Sequence, residues 1–296
     1  MKHFYDPFKP VLKLLPAFLV LITFASCEKF EGGQTVPAYI QIDSIGLQTD
    51  YDLQGSASHN ITDAWVYVDD RLLGAYELPA KIPVLQEGLH RLEIRPGIKM
   101  NGIAATRVIY PFYKPIVKEN YMFIPGSIGE INETTTYYDN VKFLWMEDFE
   151  SQLSIEETTK SDTVLIRTQE EGEVFEGAYS GKINLNTEDD LYEGASELAY
   201  LLPRKNEPIF VEVDFKINNV LTFGLFSQGF SEIYQEGLVN LNTTDTWKKI
   251  YINYTPAVNR NSTAIDFKIF LGSVLQTDLS NAELLIDNIK LVHRDI

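Results

Sequence analysis

From Ile209 to Ile217 apolar and charged residues take turns: Ile209, Val211, Val213, Phe215 and Ile217 on one side, Glu212, Asp214 and Lys216 on the other. Ile265, Phe267, Ile269 and Leu271 repeat the pattern, with Asp266 and Lys268 between them. A period of two lays every apolar side chain on one face of a pleated strand, whereas a helix would scatter them round its circumference. Beyond residue 35 a helical period is hard to find. Short β-branched and aromatic runs punctuated by turn residues recur instead, so the fold class is all-β, of the sandwich kind.

Two groups of such runs stand out. The first holds 38–42, 64–68, 72–74, 88–94, 106–112 and 121–125. Within it Ala64, Val66 and Val68 share one face and Trp65 and Tyr67 the other, and Asp69-Asp70-Arg71 supplies a turn. The second holds 142–149, 163–167, 181–186, 196–202, 209–217, 222–227, 247–254, 265–271 and 282–293, enough strands for a two-sheet jelly roll. Between the groups, 126–139 carries Gly126, Gly129 and Thr134-Thr135-Thr136 and reads as a connector. The expectation is two tandem β-sandwich domains, 36–125 and 140–296, the second a jelly roll. A length of 296 residues accommodates them.

Composition excludes several function classes. With 45% hydrophobic residues and 12% aromatics the chain can bury a real core. A net charge of −17 argues against nucleic acid, whose phosphates need basic patches. The single cysteine, Cys27, excludes an intramolecular disulfide and any zinc site built from several thiolates.

Lys2, Lys9 and Lys13 precede an apolar run from Leu14 to Phe24. That run is too short to span a bilayer core of about 30 Å, but it suits the apolar region of a secretory signal. Phe24-Ala25-Ser26-Cys27 then resembles the lipobox of bacterial lipoproteins. The resemblance implies a signal peptide over 1–26, a lipidated Cys27, and anchorage in the outer membrane of a Gram-negative envelope, in either leaflet. Several acyl chains, at about 0.8 kcal/mol per buried methylene, would hold the protein there stably. Residues 27–35, with Gly32-Gly33-Gln34, read as a flexible tether.

Two further resemblances concern the folded part. The order V-x-V-D, a turn, Gly74, then Gly88-Leu89-His90-Arg91-Leu92-Glu93-Ile94 is similar to small PEGA-like and Ig-like β-sandwiches of envelope proteins. Farther on come Asp148-Phe149-Glu150 in the opening strand, Phe175-Glu176-Gly177-Ala178-Tyr179-Ser180-Gly181, Trp247-Lys248-Lys249, and Leu285-Ile286-Asp287-Asn288-Ile289. Their order of appearance resembles carbohydrate-binding modules and their galactose-binding-like relatives. That resemblance implies a non-catalytic jelly roll and a structural calcium ion, with Glu150 and Asp287 as side-chain ligands and backbone carbonyls near 177–181 completing the shell.

The candidate chemistry is otherwise binding. Trp65, Tyr192, Phe226, Phe230, Tyr234 and Trp247 could stack on a sugar, and Phe226, Phe230 and Tyr234 lie near the flexible Gly224 and Gly229. Catalysis lacks its motifs. The spacing of Glu283 and Asp287 does not match the paired acids of jelly-roll glycosidases, and there is no HExxH, Gly-x-Ser-x-Gly or P-loop. The expected function is therefore non-catalytic: a lipid-anchored binding or assembly protein, an accessory subunit of an envelope complex with an outer-membrane protein partner. The alternative is a glycan-binding lipoprotein of a polysaccharide-capture system.

Overall fold

In a computed structural model, residues 36–294 are described; the expected signal peptide, Cys27 and tether lie outside the described residues. The first unit contains β1 (Ala38–Ile42), β2 (Ile45–Gln48), a one-turn helix α1 (Tyr51–Gln54), β3 (Asp63–Val68), β4 (Arg71–Glu77), β5 (Ala80–Val84), β6 (Gly88–Lys99), β7 (Arg107–Ile109), β8 (Ile116–Phe123), β9 (Ile128–Glu130) and β10 (Glu133–Thr136). Sheet order is β4-β3-β6-β7, with β8 also on β6, facing the smaller β5-β1-β9 and β10-β2 sheets. Ala64, Val66 and Val68 of β3 enter the core with Ile40, Ile82 and Ile94. Residues 126–139, read as a connector, carry β9 and β10, which pair in parallel with β1 and β2. The threonine run marks a strand because Thr is β-branched and suits a pleat.

The second unit contains β11 (Val141–Glu147), β12 (Ile155–Glu157), β13 (Leu165–Thr168), β14 (Ser180–Asn186), β15 (Leu191–Ser196), β16 (Ile209–Ile217), β17 (Leu221–Gln228), β18 (Ile233–Leu241), β19 (Lys248–Asn253), a short helix α2 (Thr255–Arg260), β20 (Asp266–Val274) and β21 (Asn281–Arg294). A six-stranded sheet runs β13-β14-β21-β16-β19, with β11 on the same edge of β21 as β14. A five-stranded sheet, β12-β15-β20-β17-β18, stacks against it. Val211, Val213, Leu225, Ile269 and Ile286 fill the space between, so both alternating runs do face one core. The chain is all-β, a sandwich of antiparallel sheets over its second half.

Two strand expectations shift. The strand placed at 196–202 lies at 191–196, where Gly194, Ala195 and Ser196 hide it behind small side chains. The opening strand ends at Glu147, so Glu150 sits in a turn: Phe149 takes φ +60° and Glu147 accepts the Phe149 and Ser154 N–H groups.

The outer face of the six-stranded sheet is covered by the first unit. Phe210, Tyr251 and Val292 join the first unit's core, with Phe210 edge-on to Tyr110 and Phe112 at 5.4 and 5.8 Å. Glu212, fully buried, accepts hydroxyl hydrogen bonds from Tyr110 at 2.6 Å and Tyr137 at 2.9 Å. Asp214 accepts from Ser58 at 2.8 Å and pairs with Lys249 at 3.1 Å. The Lys290 ammonium donates to the Ser56 carbonyl at 2.6 Å. Each buried charge thus meets a partner, which is the condition for burying it at all.

Candidate ligand-binding groove

Among the described residues, the first unit's core takes in no residue of the five-stranded sheet. Along β17 the pleat sends Leu225 and Ser227 inward and Phe226 and Gln228 outward. Lys268 of β20 stands beside Phe226, and Gln235 and Ile233 of β18 stand opposite Phe226 and Gln228. Glu193 and Ala195 of β15 and the 156–160 segment close the far side. The result is an open groove of about 410 Å³.

Its floor depends on Gly224. The Phe270 ring lies where a Cβ of residue 224 would stand, and reaches Phe226 with ring centroids 5.0 Å apart and planes tilted 38°. Its polar wall is fixed by hydrogen bonds. Glu193 accepts from Thr158 Oγ1 at 2.8 Å and Gln235 Nε2 at 2.7 Å, and Lys160 Nζ lies 3.4 Å away. Burial pushes the Glu193 carboxyl up, but donation from Gln235 and Thr158 and the charge of Lys160 outweigh it and hold the group below the usual range. Glu193 is therefore an anionic acceptor at neutral pH and is poorly suited to deliver a proton. A half-buried ring lining a groove with a fixed acceptor and two ammonium donors can take the apolar face of a polyol and its hydroxyls together.

The three aromatics singled out in the sequence separate. Phe226 lines the groove. Tyr234 pairs with Ser227 across the hairpin and so belongs to the opposite face. Phe230, 96% exposed, stands at the hairpin tip and shares a second hollow of about 300 Å³ with Tyr234 and Asn261. Tyr192 is fully buried in the core, and Trp65 lies on the first unit's outer face. Glu193, Lys160, Lys268 and Gln235 were not singled out. Lys268 had a signal, its polar place in an alternating strand, but Glu193 sits in the strand that small residues concealed.

Glu150 and Asp287 hold one loop. Glu150 Oε1 accepts the Ala178 and Tyr179 N–H groups at 2.8 and 2.9 Å, with Gly177 at φ +70° leaving room for the carboxylate. Asp287 accepts from Ser180 Oγ at 2.5 Å and from the Asn288 N–H at 2.7 Å. Burial raises the Asp287 carboxyl to about 7, against the pull of these donors. Calcium requires six to eight oxygen ligands. Here the carboxylates meet N–H and O–H donors, and among the described residues no group of three or more His, Cys, Asp or Glu is arranged for a metal. The residues fit a hydrogen-bonded loop anchor, not the calcium site expected from the resemblance.

No protein-family model matches the chain, and no curated protein does. Solved structures similar to it include a xylan-binding domain of carbohydrate-binding module family 22, 14% identical over 51% of this chain and 95% of that one, TM-score 0.38. Another is a family 11 carbohydrate-binding module from Clostridium thermocellum in complex with a β-1,3-1,4-mixed-linked tetrasaccharide, 15% identical over 51% and 94%, TM-score 0.36. A family 29 module is 9% identical over 52% and 89%, TM-score 0.33. The similarity is one of β-sandwich fold over about half the chain.

Proposed function

We propose that the protein is a non-catalytic glycan-binding protein, held at the cell envelope through lipid on Cys27, and that the groove over the five-stranded sheet is its binding face. The observation that carries this reading is the half-buried Phe226 ring, set between Lys268 and Gln235 on the sheet face and lining the groove together with Glu193 and Lys160. An open trough admits an extended polymer, whose successive rings can use the same sheet face. Affinity electrophoresis against neutral polysaccharides tests it: at least one should retard the protein, and Phe226→Ala should abolish the retardation. If no polysaccharide does so, the reading fails. Cys27→Ala should release the protein from membranes; continued membrane association would remove the anchor.

A second reading, docking on an envelope protein partner, is favoured by the apolar end of the same sheet. Leu201, Phe230, Ile233 and Ile265 are all exposed there. Isolation in mild detergent with a stoichiometric partner would favour this reading.

A further inference from the structure

A third hollow, of about 260 Å³, lies where the two units meet, between the 58–60 segment of the first and Phe175, Asp214, Trp247 and Lys249 of the second. It is separate from the groove and shares none of its lining residues. Phe175 and Trp247 form one wall, ring centroids 5.2 Å apart and planes tilted 47°. The Trp247 indole N–H is buried and has no acceptor among the described residues. A buried donor without an acceptor costs about 1–3 kcal/mol, which a ligand oxygen would recover once the Trp247 ring tilts to open its N–H to the hollow.

The floor is polar and balanced in charge. Asp214 already accepts from Ser58 and Lys249, yet a carboxylate offers about four lone-pair sites, so it can also accept from a ligand hydroxyl. Glu212 stands 4.0 Å from the Lys249 ammonium, and Lys248 lies at the rim. An added anion would face Asp214 and Glu212, and an added cation Lys248 and Lys249. A neutral group is unopposed. The volume falls below the ~300 Å³ at which drug-sized pockets begin, so it admits one ring and not a chain.

We infer that this junction is a second binding site, for a single neutral polyhydroxylated ring such as a sugar residue, packed on Trp247 and Phe175 and hydrogen-bonded to the indole N–H and Asp214. It is independent of whether the groove binds polysaccharide. The chain has three tryptophans, so indole-labelled protein gives three N–H resonances, and Trp247→Phe assigns the relevant one. Titration with glucose, galactose, mannose, xylose and N-acetylglucosamine should move it saturably for at least one sugar. Trp247→Phe, checked for native circular dichroism, should weaken that sugar's binding about threefold to tenfold. In Phe226→Ala the Trp247 resonance should move as in the parent. The site is overturned if none of these sugars moves the resonance, if glucuronate moves it better than the neutral sugars, or if Phe226→Ala abolishes the shift.

Discussion

On the six-stranded sheet the outward-facing Glu212 and Asp214 are buried beneath the first unit, whereas on the five-stranded sheet the outward-facing Glu193 and Lys268 border an open groove. Both faces descend from the same alternation of apolar and charged residues. The difference lies in the aromatics among the charges. Phe210 lies two residues before Glu212 on β16, Val292 of β21 stands opposite Phe210 and Tyr251 of β19 opposite Glu212, giving the first unit an apolar footing. Tyrosine hydroxyls and serines then meet the acids. On the other sheet Phe226 packs beside Phe270 on the same face, and neither ring belongs to the first unit's core. An outward aromatic marks a contact, and its neighbours decide whether the contact is internal.

Truncating the covered face should cost the most. Phe210→Ala and Glu212→Ala should each lose about 3–5 kcal/mol in urea unfolding, the first by leaving a cavity and the second by depriving the buried Tyr110 and Tyr137 hydroxyls of their acceptor. Lys268→Ala in the groove should stay within about 0.5 kcal/mol. Equal losses on the two sheets would break the contrast.

Acidity should sharpen it next. Between pH 4 and 7 the folded chain keeps a proton on Asp287 that the unfolded chain has released, so stability falls as pH rises through that window. Burial lowers the Lys290 ammonium to about 8, although Glu212 and Asp214 oppose the shift. From pH 8 to 10 the folded chain gives up that proton first, and stability rises. Asp287 and Lys290 should therefore put a minimum near 7–8 into the denaturation midpoint against pH, partly offset on the acid side by His59, whose imidazole is pushed down by burial. Asp287→Asn should flatten the acid limb and Lys290→Met the alkaline limb, whereas Glu193→Gln should leave both in place.

Phe226→Ala should weaken polysaccharide binding at least about tenfold, or ~1.4 kcal/mol, and barely shift the unfolding midpoint. A large loss of stability instead would make Phe226 a core residue. The smallest effect should come from a chelator. With Asp287 and Glu150 bound to donors, removing calcium should move Tm by less than about 1 °C, whereas a bound ion at 100 times its Kd would contribute about 2.7 kcal/mol, several degrees.

The long alternating strands were legible because burial of one face dictates their period. Strands without that signature were not. β15 is built on Gly194, Ala195 and Ser196, and β10 on a polar threonine run that reads equally as a loop. The site was legible only as composition. Phe226, Phe230 and Tyr234 are close in sequence, but the register of the β17–β18 hairpin sends Phe226 and Tyr234 to opposite faces. Register is set by partner strands, so one segment read alone does not contain it. Glu150 and Asp287 were singled out as ligands of a cation, and sequence does not show that N–H and O–H donors of the 178–180 segment meet them.

β21 is last of the strands and borders β11, β14 and β16. The six-stranded sheet has no middle until it arrives, and the first unit has no complete surface to settle on without Val292. A chain emerging from the ribosome or a translocation channel therefore holds its largest sheet open until residues 281–294 have emerged. Its folding is timed by delivery of that segment, and truncation before 281 would yield an aggregation-prone remnant and not a smaller version of the protein.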